Sequence, residues 1–298
     1  MSHTDIGSAA LDFAKLPIYG CLTGIKLVTD SVEVLPGLIF KRVYVDTFGA
    51  TMMAFAPPPT EGAPHPTPWA AVRGGFSFEG RVQIELTDMS IWDGLTPSVA
   101  VWLVAAVLRL RVAAPIRLAV IGNMPFHEMG GRWKEVKAVA FESAPRQIGA
   151  FTANCIEATE VEILWLRNTL PVAARLYRDE RFFRAFSLYD QAQWTPTAEI
   201  GTVLVWTAIE ILFDLTGTLE KTKAICNALS NYVAADRSDR DHAYQVIRKL
   251  YYVRGKTIHA GRSMTAPDVI QSFRLASVAF ERVLMEGKLP PQQGKTLH

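Results

Sequence analysis

The pattern of apolar residues changes near Ala144-Pro145, and this change limits the folds that the chain can adopt. Before it, segments 20–28 and 32–45 are rich in Val, Ile, Leu and Tyr and are separated by turn residues, which is typical of short strands. After it, apolar residues recur at helical spacing almost throughout. We therefore predict an α+β protein, with a β-rich α+β domain over residues 1–150 and an all-helical bundle over residues 155–288.

The predicted elements follow from this pattern. In the first part we expect further strands at 81–86, 116–121 and 136–142, a helix at 96–110 and a polyproline-like loop at 56–68. In the second part we expect helices at 156–169, 171–191, 197–215, 218–235, 239–256 and 267–286, with Pro171 and Pro196 among the residues that separate them.

Composition excludes several classes of protein. The net charge of +2 gives no overall attraction for nucleic acid, so any such surface must be local. The three cysteines, Cys21, Cys155 and Cys226, are far apart and match neither a disulfide framework nor a zinc ribbon. The most apolar run, residues 99–108, is shorter than the ~20 residues that span a bilayer. We expect a cytoplasmic protein that does not enter membranes and holds neither a metal nor a cofactor.

The segment 251–261 closes the most informative helix. Arg254 falls on the same stripe as the apolar and aromatic residues that face a bundle core, where a guanidinium needs a partner or a function. His259 follows five positions later, whereas residues three or four apart are neighbours on a helix. Gly255 and fraying near Gly261 would bring the two side chains together, so we expect Arg254 and His259 to line one cleft.

Glu210 is the natural partner of Arg254, because it is the acid in the strongly apolar helix 206–213. A carboxylate there would compensate and orient the guanidinium. The alternative is a purely structural Glu210–Arg254 ion pair, with His259 as a polar helix end.

Basic and aromatic residues crowd the same segment. We expect them to bind RNA, with the cations on phosphates and the tyrosines stacked on bases. The alternative is a solvated basic face beside core tyrosines. The residues concerned are Arg248, Lys249, Tyr251, Tyr252, Lys256 and Arg262.

The chain from about 181 to 283 resembles a HEPN domain, specifically the Apea-like HEPN group. The resemblance rests on four blocks in order along the chain. These are Arg181-Phe182-Phe183 with Ala185 and Tyr189, Trp206-x-Ala208-x-Glu210-x-Leu212-Phe213, Thr218-x-Glu220-Lys221, and Tyr251-x-x-Arg254 through His259-Ala260-Gly261. The last block is similar to the Arg-x(4–6)-His motif of that family.

The resemblance implies a homodimeric helical bundle in which the Arg/His segments of both subunits meet. It implies a metal-independent endoribonuclease, in a toxin–antitoxin or phage-defence setting, with an antitoxin or another protein as partner. Arg254 and His259 would be the catalytic pair and Glu210 a supporting acid. Gly255 departs from the polar residue that often follows the arginine in catalytic members, and Ala260 stands where the family usually has Gly.

Two alternatives stay open. One is a non-catalytic HEPN module that binds RNA, a nucleotide or a protein partner in the same cleft. The other is a bundle that serves only for dimerisation.

Overall fold

The computed structural model describes residues 13, 15–48, 52–54, 69–71, 77–112, 114, 116–142, 155–215, 220–234, 236–260 and 263–291. At residues 47–48, 52–54, 69–71, 77–78 and 259–260 it describes the backbone alone. The predicted loop at 56–68 lies outside these residues.

The first part of the chain forms an antiparallel sheet, as the strand-like pattern predicts. The strands are β1 (Ile18–Thr23), β2 (Ile25–Leu27), β3 (Ser31–Leu35), β4 (Leu38–Phe48), β5 (Met52–Ala54), β6 (Trp69–Ala71), β7 (Ser77–Leu86), β8 (Arg117–Gly122), β9 (Ala138–Ala140) and β10 (Ile156–Ala158). Six of them follow the order β3-β4-β7-β1-β8-β9, and every neighbouring pair is antiparallel. Two further pairs are β2 with β10, which is parallel, and β5 with β6, which is antiparallel.

Seven α-helices complete the described part of the chain, and the α+β class is confirmed. The first is α1 (Pro97–Arg111), which lies within the β-rich part and is capped by the Thr96 side chain. The remaining six are α2 (Glu160–Leu176), α3 (Glu180–Ala192), α4 (Ala198–Leu212), α5 (Lys221–Val233), α6 (Arg237–Ala260) and α7 (Ala266–Glu286).

Helix α1 connects the sheet to the helical bundle. Almost every residue of α1 is buried, because one side packs on the central strands and the other on α2 and α7. At Gly20 in β1, an added Cβ would lie 2.6 Å from Val101 of α1, so this close approach requires glycine. The larger of two clusters of buried apolar residues in the described chain therefore runs from the sheet through α1 into the bundle. The division into domains at 1–150 and 155–288 stays a prediction.

A buried ion cluster joins α1 to α3. Arg109 is fully buried and donates two hydrogen bonds to each of two carboxylates, Glu142 at 2.9 Å and Asp190 at 3.0 Å. The Glu142 carboxylate also accepts a hydrogen bond from the Leu118 amide of β8 at 2.7 Å. A single guanidinium thus links the sheet, α1 and the bundle.

The prediction of a helix boundary at Pro171 is wrong. Helix α2 begins with a capping box at Thr159 and Glu162, and it continues through Pro171 to Leu176. Residues 156–158 are strand β10, not helix, because they pair with β2. The apolar face of α2, with buried Leu170 and Ala174 on either side of the proline, packs into the core and offsets the cost of the proline.

The part of the chain that the structure describes contains neither a membrane-spanning helix nor a cluster of metal-ligating side chains. No helix there combines the length and apolarity needed to cross a bilayer. Within the same ranges, no group of three or more His, Cys, Asp or Glu side chains is placed to hold a metal ion.

Candidate functional site

The candidate site is built on α6, which is longer and more regular than the sequence predicts. Its backbone is helical through Gly255 to Ala260, so neither Gly255 nor fraying before Gly261 breaks it. At ~100° per residue, the register turns the His259 position about 140° away from that of Arg254. The same register places His259 two turns beyond Tyr252. The side chain of His259 and all of Arg262 lie outside the described residues.

Glu210 of α4 lies at the centre of a buried polar cluster. It is 5% exposed, and its Oε1 accepts a hydrogen bond from the Tyr251 hydroxyl at 2.8 Å. The same oxygen lies 3.7 Å from Nη2 of Arg254. The expected approach of Glu210 to Arg254 is therefore present, but the two groups are too far apart for a direct hydrogen bond.

Lys221 is the member of this cluster that the sequence reasoning missed. Its Nζ lies 2.7 Å from Oε2 of Glu210, which is the shortest contact that the carboxylate makes with a cation. Lys221 appears in the sequence as part of the HEPN resemblance, next to Glu220, but helical spacing gives it no predicted partner. It is the first residue of α5, so the pair depends on how α5 packs beside α4.

Tyr251 is part of the core as well as of the cluster. Its ring packs edge-on against Trp206 of α4, with centroids 5.3 Å apart, and Trp206 in turn donates a hydrogen bond to Ser272 of α7. Burial, together with the hydrogen bond to Glu210 and the charge of that carboxylate, raises the pKa of the Tyr251 hydroxyl. Tyr251 is therefore a neutral donor that holds Glu210 in place.

The guanidinium of Arg254 is held beside the ring of Tyr251 and makes no hydrogen bond to any residue that the structure describes. Its Cζ lies 5.5 Å from the centre of the Tyr251 ring, and its side chain is only 18% exposed. Within the described ranges its Nε is buried without a hydrogen-bond partner. A guanidinium fixed in this way is suited to bind an anion through two parallel hydrogen bonds.

Arg254 borders a cleft of about 840 Å³ between the start of α5 and the second half of α6. Among the residues that the structure describes, four of the lining side chains are cationic and none is acidic. The lining residues are Thr222, Gln245, Arg248, Lys249, Tyr251, Tyr252, Arg254, Gly255 and Lys256. The cleft therefore carries a local positive charge that the net charge of the chain does not reveal.

The cations of the cleft differ in their partners. Lys249 pairs with Asp268 of α7 at 3.2 Å, whereas among the described residues no carboxylate pairs with Arg248 or Lys256. The Nζ of Lys256 lies 5.3 Å from the ring centre of Tyr252, which is 62% exposed. Tyr252, and not the buried Tyr251, thus has a ring face open to solvent.

Gly255 leaves open space on the same surface. An added Cβ would meet no heavy atom within 4 Å, so packing within the described chain does not require glycine there. Glycine costs a helix interior about 1 kcal/mol relative to alanine.

The structure thus brings together Glu210, Arg254 and Tyr251 in one cluster and places Arg248, Lys249 and Lys256 along the adjoining cleft. Comparison with protein-family models, curated proteins and solved structures finds no match to this chain. The HEPN resemblance stays a prediction that rests on the residues themselves.

Proposed function

We propose that the protein is a HEPN-type, metal-independent endoribonuclease that binds single-stranded RNA in the cleft along α6. The observation that carries the proposal is Arg254, a positioned guanidinium at the edge of a cleft lined by cations. A guanidinium binds a phosphate group through two parallel hydrogen bonds. Three further cations and the exposed ring of Tyr252 suit an extended nucleic-acid strand.

The proposed chemistry uses the substrate's own nucleophile. The 2′-hydroxyl of RNA attacks the adjacent phosphorus, and the bond to the 5′-oxygen of the next nucleotide breaks, which leaves a 2′,3′-cyclic phosphate. Arg254 offsets the charge that develops on the phosphate oxygens. His259 accepts the proton of the attacking 2′-hydroxyl, and the departing 5′-oxygen takes up a proton from water; an imidazole suits this role because its ordinary pKa lies near neutral pH. Glu210 does not touch the substrate in this scheme, but positions Arg254 and Tyr251.

The proposal includes a homodimer, because a single copy of α6 does not place Arg254 and His259 side by side. Arg254 and His259 project from positions about 140° apart on one helix, so two copies of α6 that meet side by side could each supply one member of the pair. The biological setting we propose is a cytoplasmic toxin or phage-defence effector, controlled by an antitoxin or another protein.

A cleavage assay tests the proposal. Purified protein is incubated in EDTA with end-labelled single-stranded RNA and with DNA of the same sequence. We expect RNA alone to be cut, with cyclic phosphate ends, because DNA lacks the nucleophile. Arg254→Ala and His259→Ala should each abolish cutting.

Two control variants match these substitutions. Arg184→Ala removes an exposed arginine from α3, and His242→Ala removes an exposed histidine from the first half of α6. Both should cut RNA like the wild type. Expression in cells, with growth and RNA integrity as readouts, should show damage from the wild type and none from His259→Ala.

A non-catalytic RNA-binding module is the second candidate. The observations that favour it are the angular separation of Arg254 and His259 and the glycine directly after Arg254. It predicts that the wild type binds RNA, that Arg254→Ala weakens binding, and that RNA stays intact in every assay. A wild-type protein that neither binds nor cuts RNA contradicts both candidates.

A further inference from the structure

Glu210 faces two cations, and the charges do not balance. The buried carboxylate carries one negative charge, whereas Lys221 and Arg254 together carry two positive charges. A buried carboxylate needs one close cation to offset the cost of leaving water. One of the two cations is therefore in excess, and the distances decide which one.

The distances assign Glu210 to Lys221. Nζ of Lys221 lies 2.7 Å from the carboxylate, which is contact distance, whereas Nη2 of Arg254 lies 3.7 Å away. The other close donor to Glu210 is the neutral hydroxyl of Tyr251, which occupies the oxygen nearest to Arg254. Arg254 is therefore attracted to the carboxylate by charge but makes no hydrogen bond with it.

The place of Lys221 in α5 is otherwise unfavourable. It is the first residue of the helix, where the helix dipole disfavours a cation. Lys223 is in the same first turn, but it is 67% exposed and pairs with Glu220. Lys221 instead reaches inward to Glu210, so that contact accounts for a cation at this position.

We propose that Lys221 is a positioning residue: by engaging Glu210, it keeps the Arg254 guanidinium free to bind an anion in the cleft. The inference rests on the proposed function, because the anion concerned is a phosphate of bound RNA. Without Lys221, Arg254 moves about 1 Å to engage Glu210 in its place, since the buried carboxylate still needs a cation.

The first experiment needs no RNA. Urea unfolding is measured for Lys221→Met, Arg254→Met and the double variant, in which methionine removes the charge and keeps an unbranched apolar side chain. Each single variant should shift the urea midpoint slightly, because the other cation compensates Glu210. The double variant should lose more than the sum of the two, because it leaves Glu210 without a cation.

Adding Glu210→Gln to the double variant checks the origin of this coupling. The excess loss should largely disappear, because no buried charge remains. Additive midpoint shifts in the double variant would contradict the inference, since Arg254 would then not be able to replace Lys221 at Glu210.

The second experiment measures RNA binding by fluorescence anisotropy. The probe is a labelled single-stranded RNA with 2′-O-methyl groups, which keeps its phosphates but cannot be cut. Lys221→Met should bind about tenfold more weakly, because Arg254 is diverted to Glu210. Lys221→Met combined with Glu210→Gln should bind more tightly than Lys221→Met alone, because Arg254 is released again.

The rescue separates positioning from direct contact. If Lys221 touches the RNA itself, Glu210→Gln cannot restore its charge and the combined variant stays weak, which contradicts the inference. Lys223→Met is the matched control and should bind like the wild type. A wild-type protein without affinity for the probe contradicts the proposed function, whereas the unfolding measurements still decide whether Lys221 and Arg254 compete for Glu210.

Discussion

Two adjacent tyrosines of α6 have different environments because successive helical residues point about 100° apart. Tyr251 turns into the core against Trp206 and Glu210, whereas Tyr252 turns to solvent beside Lys256. The sequence assigned both to base stacking. The structure leaves an accessible ring only at Tyr252, so the two residues allow a sharp test of the proposed RNA contact.

We expect Tyr252→Ala to weaken binding of single-stranded RNA by about 1–3 kcal/mol, because a base loses its aromatic platform. Tyr252→Phe should bind like the wild type, because the ring is kept. Fluorescence anisotropy gives both affinities. Tyr44→Ala removes an equally exposed tyrosine from β4 and should have no effect. Unchanged affinity of Tyr252→Ala would exclude stacking at this position.

At the level of single elements, α6 contains a glycine that its own structure does not require. We expect Gly255→Ala to raise the free energy of unfolding by about 0.5–1 kcal/mol, because alanine favours the helix and its Cβ enters open space. Urea unfolding measures the gain. A loss of stability would show that the position is more crowded than the described residues indicate.

The RNA affinity of Gly255→Ala tests whether RNA approaches the backbone of α6 at this position. Glycine on a cleft surface allows a ligand to approach the helix backbone closely. We therefore expect the more stable variant to bind RNA more weakly. A variant that is both more stable and equally tight in binding would show that RNA does not contact this turn.

Element boundaries show where local reasoning succeeds and where it fails. The apolar period located α1 and α4–α7 to within a few residues, because burial of one face imposes that period on any helix. It also joined the end of α2 to α3 in one predicted helix at 171–191, whereas α3 begins at Glu180. It misplaced the start of α2 and divided that helix at Pro171. There the pairing of β10 with β2 and the packing of Leu170 outweigh the local preference of proline, and neither contact can be seen in adjacent residues.

For the whole molecule, Arg109 links the sheet to the bundle. We expect Arg109→Met to lower the free energy of unfolding by about 3–5 kcal/mol at neutral pH, because it leaves Glu142 and Asp190 buried without a cation. Chemical denaturation measures the loss. Arg111→Met is the matched control and should cost little, since Arg111 is half exposed and its pair with Glu281 spans 3.6 Å.

The loss of unfolding free energy caused by Arg109→Met should depend on pH. Burial already raises the pKa of Glu142 in the intact protein, with Arg109 opposing and Asp190 reinforcing that shift. A raised folded-state pKa contributes stability that is complete below the unfolded value and is lost as pH rises through the folded value. Without Arg109 the pKa rises further, so the variant should be closer to wild type at pH ~5 than at pH ~8. An equal loss of unfolding free energy at both pH values would contradict this account.

The proposed homodimer makes a prediction about mixed subunits. If Arg254 comes from one copy and His259 from the other, each heterodimer of the two inactive variants contains one intact site. We therefore expect an equal mixture of Arg254→Ala and His259→Ala to regain about a quarter of wild-type cleavage after subunit exchange. Cleavage rates before and after exchange check this. No recovery, with exchange verified by sedimentation of labelled subunits, would place both residues of a site in one subunit.

Local sequence patterns were sufficient for the class of fold and for the inward position of Arg254, because both depend on spacing along a single helix or strand. They were also sufficient to suggest Glu210 as its neighbour, since few acids occur in strongly apolar helices. The partners of Arg109 and the contact of Lys221 with Glu210 could not be read from spacing. These contacts join side chains of separate elements, and they form only when the sheet, α1 and the bundle are packed together.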